Sequence, residues 1–290
     1  MADVRRFRGP IDLHTHSNVS DGTQTPAELV REAADVGLEV LALTDHDSSG
    51  GWAEAMTEGA RVGVSIVPGI ELSTRRGEKS IHLLGYLFDP THPELVAETE
   101  RIRLGRMRRA RDIVERLARD YEISWDDVLA HASDGATVGR PHIADALVAN
   151  GFAPDRSSVF ESILNWRSGY VRPHDAPDPL VGVRLIRAAG GVPVLAHPAT
   201  SSRGEVIPEA ELRTLVDAGL FGLELDHRLN RLPGLTTLRV YAERYGLAIT
   251  GSSDYHGAGK PNRLGENTTS SEVLSQIIDR ATGSSPFFAN

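Results

Sequence analysis

The sequence predicts an α/β fold built on a mostly parallel sheet, at a length that a single barrel commonly reaches. Two observations carry this prediction. Apolar strand-like runs alternate with helical patterns along much of the 290 residues, the rhythm of successive β-α units. Residues able to bind metal stand within or just after those runs, and parallel barrels keep their chemistry at the carboxyl ends of their strands.

The first run is Ile11-Asp12-Leu13-His14-Thr15-His16, followed by Asp21. Residues two apart share a strand face, so His14 and His16 can grip one ion. Thr25-Pro26-Ala27-Glu28 starts a helix. Thr25 caps it, Pro26 suits the first turn and Glu28 completes a capping box. Gly37 ends that helix, and the strand Leu38 to Leu43 runs into Thr44-Asp45-His46. A helix from Trp52 to Arg61 leads to the apolar run Val64 to Ile70, closed by Glu71. After a turn at Arg76-Gly77, the strand Ser80 to Phe88 contains His82. More apolar strand follows His82, which predicts a side chain pointing into the barrel rather than standing on a loop.

The rhythm then changes. Helical patterns fill His92 to His174: a long amphipathic helix over Pro93 to Asp120, a short one capped by Ser124, and one from Arg140-Pro141 to Gly151. The expected division is a first barrel part (1–92), a helical insertion subdomain (93–175) and a second barrel part (176–290). Alternation resumes with helix Pro179 to Ala189, strand Val192 to Ala196 with His197 at its end, and helix Pro208 to Ala218. Strand Phe221 to Leu225, helix Leu235 to Tyr245 and strand Leu247 to Thr250 follow, the last ahead of Asp254-Tyr255-His256. Helix Ser271 to Arg280 closes the pattern, and the tail from Gly283 is expected to fray.

Composition excludes several classes. The chain has no cysteine, which rules out disulfides, thiolate catalysis and cysteine-type zinc sites. Formal net charge is −9, so the protein as a whole is no general polyanion binder. Arginines supply 29 of the 31 basic residues. The eight between Arg101 and Asp120 therefore read as a solvated helix face coloured by that bias. No run approaches the roughly 18 apolar residues of a membrane span, and Met1 to Pro10 lacks an apolar signal core. The expectation is a cytoplasmic protein with no membrane association and no evident protein partner.

A histidine taken singly is an ordinary core or surface residue, and His92, His131, His142, His174 and His227 are read that way first. The set His14, His16, Asp21, His46, Glu71, His82, His197, Asp254 and His256 is different. Buried carboxylates and imidazoles are costly without partners, and these recur at strand after strand. Imidazole and carboxylate without thiolate suit zinc, manganese or iron. The set exceeds what one tetrahedral ion accepts, so two or three divalent ions are expected, with Glu71 bridging. Bridged ions generate a hydroxide nucleophile at neutral pH and need no serine or cysteine.

The order His-x-His, Asp, Thr-Asp-His, Pro-Gly-Ile-Glu, Ile-His-Leu-Leu-Gly, Ala-His-Pro and Ser-Asp-Tyr-His-Gly spans Asp12 to His256. It resembles the polymerase and histidinol phosphatase (PHP) family. The resemblance implies a distorted (β/α)7 barrel holding a trinuclear cluster. His14, His16, Glu71 and Asp254 would hold one ion; Glu71, His82 and His197 a second; Asp21, His46 and His256 a third. Asp12 and Asp45 would orient imidazoles.

Gly139-Arg140-Pro141-His142-Ile143-Ala144 and Gly169-Tyr170-Val171 are similar to the branch that removes the 3′-phosphate of nucleoside 3′,5′-bisphosphates. That branch also includes enzymes trimming short RNA from the 5′ end. The resemblance implies a metal-dependent phosphatase using a metal-bound hydroxide, with 5′-to-3′ exoribonuclease activity as the alternative. Histidinol phosphatase and a non-catalytic metal-binding module rank lower. Arg140, at a helix start, suits a phosphate, and His142 a proton donor or phosphate contact. Arg203, Asn230 and Tyr170 are the further expected substrate contacts, Tyr170 by stacking on a base. Trp166 is assigned to the core.

Overall fold

A computed structural model describes residues 7–133, 136–173 and 175–289; His174 lies outside them. Seven strands form one sheet in chain order: β1 (Ile11–Thr15), β2 (Val40–Leu43), β3 (Ser65–Arg76), β4 (Lys79–Tyr86), β5 (Val192–Leu195), β6 (Gly222–Asp226) and β7 (Ala248–Gly251). A parallel bridge joins Thr15 to Tyr255, and the His16 amide donates to the Tyr255 carbonyl, so the sheet nearly closes into a barrel. Helices α1 (Pro26–Asp35), α2 (Trp52–Val62), α7 (Pro179–Ala188), α8 (Glu209–Asp217), α9 (Leu232–Tyr245) and α10 (Ser271–Arg280) belong to the barrel. Between β4 and α7 lie α3 (Pro93–Leu117), α4 (Trp125–Leu129), α5 (Arg140–Ala149) and α6 (Arg156–Glu161).

The caps read from sequence form as expected: Thr25 accepts from the Glu28 amide at α1 and Ser124 from the Asp127 amide at α4. Helix α6 was not anticipated, because six residues carry no helical period; Asp155 caps it by accepting from the Ser158 amide. Strand neighbours divide between two cores. Leu41 and Leu43 join Leu29 and Val30 beneath the helices, while Val40 and Ala42 join Ile11, Leu13 and Tyr86 on the inner face. Helices α3 to α6 enclose a third cluster, with Ile113, Leu117, Ile143 and Leu147.

Two expectations need correction. Strand β4 pairs antiparallel with both β3 and β5, so its amino end, not its carboxyl end, lies at the barrel mouth. His82 thus stands at the mouth opposite Ser73, and the apolar residues after it run down into the barrel. The tail does not fray. Phe287 exchanges two backbone bonds with Ile66, and the Ser284 amide donates to the Leu87 carbonyl, closing the end opposite the mouth. No helix among the described residues is long and apolar enough to cross a membrane.

Candidate metal centre

Every strand delivers a polar side chain to the mouth. His14 and His16 come from the end of β1, His46 follows β2, Glu71 lies within β3, and His82 stands near the start of β4. His197 follows β5, Glu224 lies within β6, and Asp254 and His256 follow β7. Glu71 sits at the centre and is almost fully buried. Its Oε2 lies 3.2 Å from His14 Nε2, 3.1 Å from His16 Nε2 and 3.3 Å from His46 Nδ1. Its Oε1 lies 2.6 Å from His82 Nδ1 and 3.0 Å from His197 Nε2. Asp254 Oδ1 is 3.6 Å from His14 Nε2 and 3.4 Å from His16 Nε2. Asp21 reaches His256 Nε2 at 3.2 Å.

Among the described residues, three overlapping groups are compact enough to share an ion: His14, His16, Glu71 and Asp254; His16, Asp21, His46 and His256; and His46, Glu71 and His82. His46 takes the place expected for His197 in the last, although His197 touches Glu71. The donors fit divalent cations on a separate ground. His46 Nδ1, His256 Nε2 and Asp254 Oδ1 are buried without a hydrogen bond, a costly state that a coordinated cation relieves. Backbone strain gathers here too, with His197, Asp254 and Asp47 all at positive φ.

Electrostatics set the groups apart. In the metal-free protein burial alone would lower His14, but Glu224, Glu71 and Asp254 outweigh it and hold the ring protonated. His16 behaves likewise through Asp254, Glu71 and Asp21, and rises to about 9. Burial keeps His46 well below its usual range and, joined by Lys260, pushes His256 down to about 4. Burial opposes ionisation of Glu71, Asp21 and Asp254, yet neighbouring imidazoles, and Lys260 at Asp254, hold all three well below the usual carboxylate range. A cation must therefore expel the protons of His14 and His16. Metal affinity is expected to rise with pH through the neutral range and toward the raised values of His14 and His16. Calorimetry in buffers of different ionisation enthalpy counts the protons released; pH-independent affinity with no proton release would contradict this.

Sequence reasoning missed Glu224. It is fully buried, accepts from His14 Nδ1 at 2.9 Å and from the His197 amide at 2.9 Å. It therefore turns His14 Nε2 toward the cluster and ties β6 to the loop after β5. A lone acid within the apolar run Leu223-Glu224-Leu225 was the available signal. Glu224→Gln is expected to weaken metal affinity roughly 10–100-fold, the usual effect of losing such a partner, with the fold retained by circular dichroism. Unchanged affinity would remove this role. Lys260, also missed, holds Asp254 Oδ2 at 2.8 Å. His227 is buried against the His14 and His197 rings, and its Nδ1 accepts from the Leu229 amide. Asp12 and Asp45 orient backbone and hydroxyls rather than imidazoles: Asp12 accepts from the Ser253 and Gly265 amides, Asp45 from Ser17 and Ser20.

A cavity of about 650 Å³ opens beside the cluster, lined by His46, His82, Lys260 and a set of arginines including Arg75, Arg106, Arg109 and Arg140. Arg106 and Arg109 come from α3, so part of that helix faces the site instead of solvent. Arg106 Nε lies 3.0 Å from Asp47 Oδ2, while Arg109 donates to the Arg172 carbonyl. Arg140 also lies over the Phe160 ring, 5.4 Å from its centroid. Trp166 is 58% exposed and lines this cavity, correcting its assignment to the core.

Four expected contacts are not brought there. Tyr170 donates to Asp120 at 2.6 Å within the helical segment. Asn230 spends its amide on backbone, accepting from Ala199 and donating to the Glu224 and Leu225 carbonyls. Arg203 is exposed on a loop and lines neither this cavity nor its neighbour. His142 turns back to accept from the Gly139 amide and lines a separate cleft.

Residues 12–103 match the PHP domain, and the wider comparisons extend that likeness to most of the chain. The chain belongs to the PHP family: it is a metal-dependent phosphoesterase, a hydrolase of phosphate esters. It is 35% identical to a 3′,5′-nucleoside bisphosphate phosphatase of Chromobacterium violaceum, over 87% of this chain and 89% of that one. A 5′-3′ exoribonuclease of Haemophilus influenzae is 36% identical over 64% of this chain and 68% of its own length. Among solved structures, one from Bifidobacterium adolescentis assigned as a metal-dependent phosphoesterase aligns with a TM-score of 0.91 at 37% identity, covering 95% and 98% of the two chains. An amidohydrolase from Chromobacterium violaceum, solved with sulfate and no metal, aligns with a TM-score of 0.82 at 31% identity, covering 94% and 97%.

Proposed function

We propose that the chain removes the 3′-phosphate of nucleoside 3′,5′-bisphosphates. The observation carrying this reading is the arginine cavity opening directly onto the imidazole and carboxylate cluster. One phosphate fits the cluster and a second fits the guanidinium groups, which match it by charge and fork geometry. The nine side chains expected from the sequence would hold two or three ions, manganese, zinc or iron. When bound, these ions would neutralise phosphoryl charge and activate water.

The chain's own groups do the rest. Arg109 and Arg140 hold the second phosphate. Trp166 and Phe160 offer faces to the base. Glu224 fixes the His14 ring, and Lys260 stands where it can meet the reacting phosphate. The remote phosphate contributes binding energy that a monophosphate lacks. One charge-assisted contact is worth about 1.5–3 kcal/mol. The expected result is therefore a kcat/KM about 10–100-fold higher for adenosine 3′,5′-bisphosphate than for 3′-AMP. Equal efficiency would overturn the reading. The likeness to the bisphosphate phosphatase supports it. Exonuclease action on short RNA is the second reading, favoured by a further cavity on the far side of the cluster.

A further inference from the structure

The donor group His16, Asp21, His46 and His256 differs from the one around His14 in what holds it. The helical segment between β4 and α7 reaches three of the stretches of chain that carry it. The Thr137 hydroxyl donates to the His46 carbonyl at 3.1 Å. The Thr137 amide donates to the Val19 carbonyl, also at 3.1 Å, just ahead of Asp21. Arg156 Nη1 donates to the Asp21 carbonyl at 3.1 Å. The same guanidinium lies so close to Gly259, shortly after His256, that a β-carbon there would collide with it. The Asp21 and His256 loops are also stitched to each other. The Thr23 amide donates to the His256 carbonyl at 3.2 Å, and the Ala258 amide to the Thr23 hydroxyl at 2.9 Å. The group around His14 draws its partners from the barrel instead, Glu224 for His14 and Lys260 for Asp254.

Arg156 lines the arginine cavity, yet its guanidinium is spent on the protein. Nε donates to Asp145 Oδ1 at 2.8 Å and Nη2 to Asp145 Oδ2, while Nη1 meets the Asp21 carbonyl. Asp145 stands on α5, the helix that Arg140 begins. Thr137 is buried, and its hydroxyl and amide both donate to carbonyls. We propose that Thr137 and Arg156 are positioning residues for a cation held by His16, Asp21, His46 and His256. They fix the backbone that presents Asp21 and His46, as partners behind a ligand commonly do. The segment that supplies arginines to the cavity thereby also completes the metal centre. This rests on the reading of the donor groups as ion sites.

The test follows manganese binding by equilibrium dialysis in the wild type, Thr137→Val, Thr137→Ser and Arg156→Gln, with anomalous diffraction assigning each binding class to its donor group. Thr137→Val and Arg156→Gln are expected to weaken the ion at Asp21 and His46 about 10–100-fold, the scale of losing a partner that orients a ligand. The ion between His14, His16, Glu71 and Asp254 is expected to be held as before. Thr137→Ser keeps the hydroxyl and is expected to bind as the wild type does. Excess manganese is expected to restore bisphosphate turnover in both weakened variants. Turnover that excess manganese leaves low would make these residues substrate contacts and overturn the proposal. Equal weakening of both ions, or an unchanged ion at Asp21 and His46 in Thr137→Val, overturns it too, even if Arg156→Gln fails to fold. So does a wild type that fills the His14 group and leaves this one empty. A wild type that binds no manganese at the mouth instead overturns the reading of the donor groups as ion sites.

Discussion

Glu71→Gln is expected to lower phosphate release by about 10³-fold or more, a loss of several kcal/mol of charge stabilisation. Among the described residues no other side chain contacts so much of the site: five imidazoles lie within 3.3 Å of its two oxygens. Glutamine keeps the shape but gives up the charge and one acceptor oxygen. The amide would then confront His14 and His16, which the carboxylates hold protonated in the metal-free protein. Metal content should fall together with activity, because Glu71 belongs to two of the three compact donor groups. Elemental analysis of the purified variant checks this. Full metal content with full activity would show that Glu71 bridges nothing.

Arg109→Ala is expected to erase discrimination between bisphosphate and monophosphate, lowering kcat/KM for the bisphosphate about 10–100-fold and leaving 3′-AMP much less affected. Arg109 is pushed down to about 9 by burial and by Arg140, Arg106 and Arg75. A guanidinium still keeps its charge at neutral pH, so the crowding is a repulsion that an anion relieves. Sulfate or phosphate should therefore raise the melting temperature of the wild type, and Arg109→Ala should blunt the rise. Equal losses on both substrates would place Arg109 at the reacting phosphate instead.

The candidate ligands were legible because each stands within or soon after an apolar run and carries a side chain that burial penalises. His14 and His16 declare themselves by period, and Glu71 directly follows the apolar run Val64 to Ile70. The direction of β4 was legible in principle. The turn at Arg76-Gly77 is far too short for the crossover that parallel neighbours need, but alternation of strands and helices carries no direction by itself. The arginine cavity was hidden. Seven arginines wind round α3, and only its packing against Asp47 and Arg172 decides that Arg106 and Arg109 face inward. Asn230 and Tyr170 misled for the converse reason, since nothing in a sequence shows that an amide or hydroxyl already has its partners. Glu224 was overlooked because a lone acid between two leucines has no histidine or second acid beside it to mark it.

The most direct test is anomalous diffraction from crystals grown with manganese. Overlap of the three donor groups around Glu71 and His16 predicts two or three peaks at the barrel mouth, one of them between His14, His16, Glu71 and Asp254. A single peak elsewhere, or none in protein that still releases phosphate, would contradict the convergence on which the proposed chemistry depends.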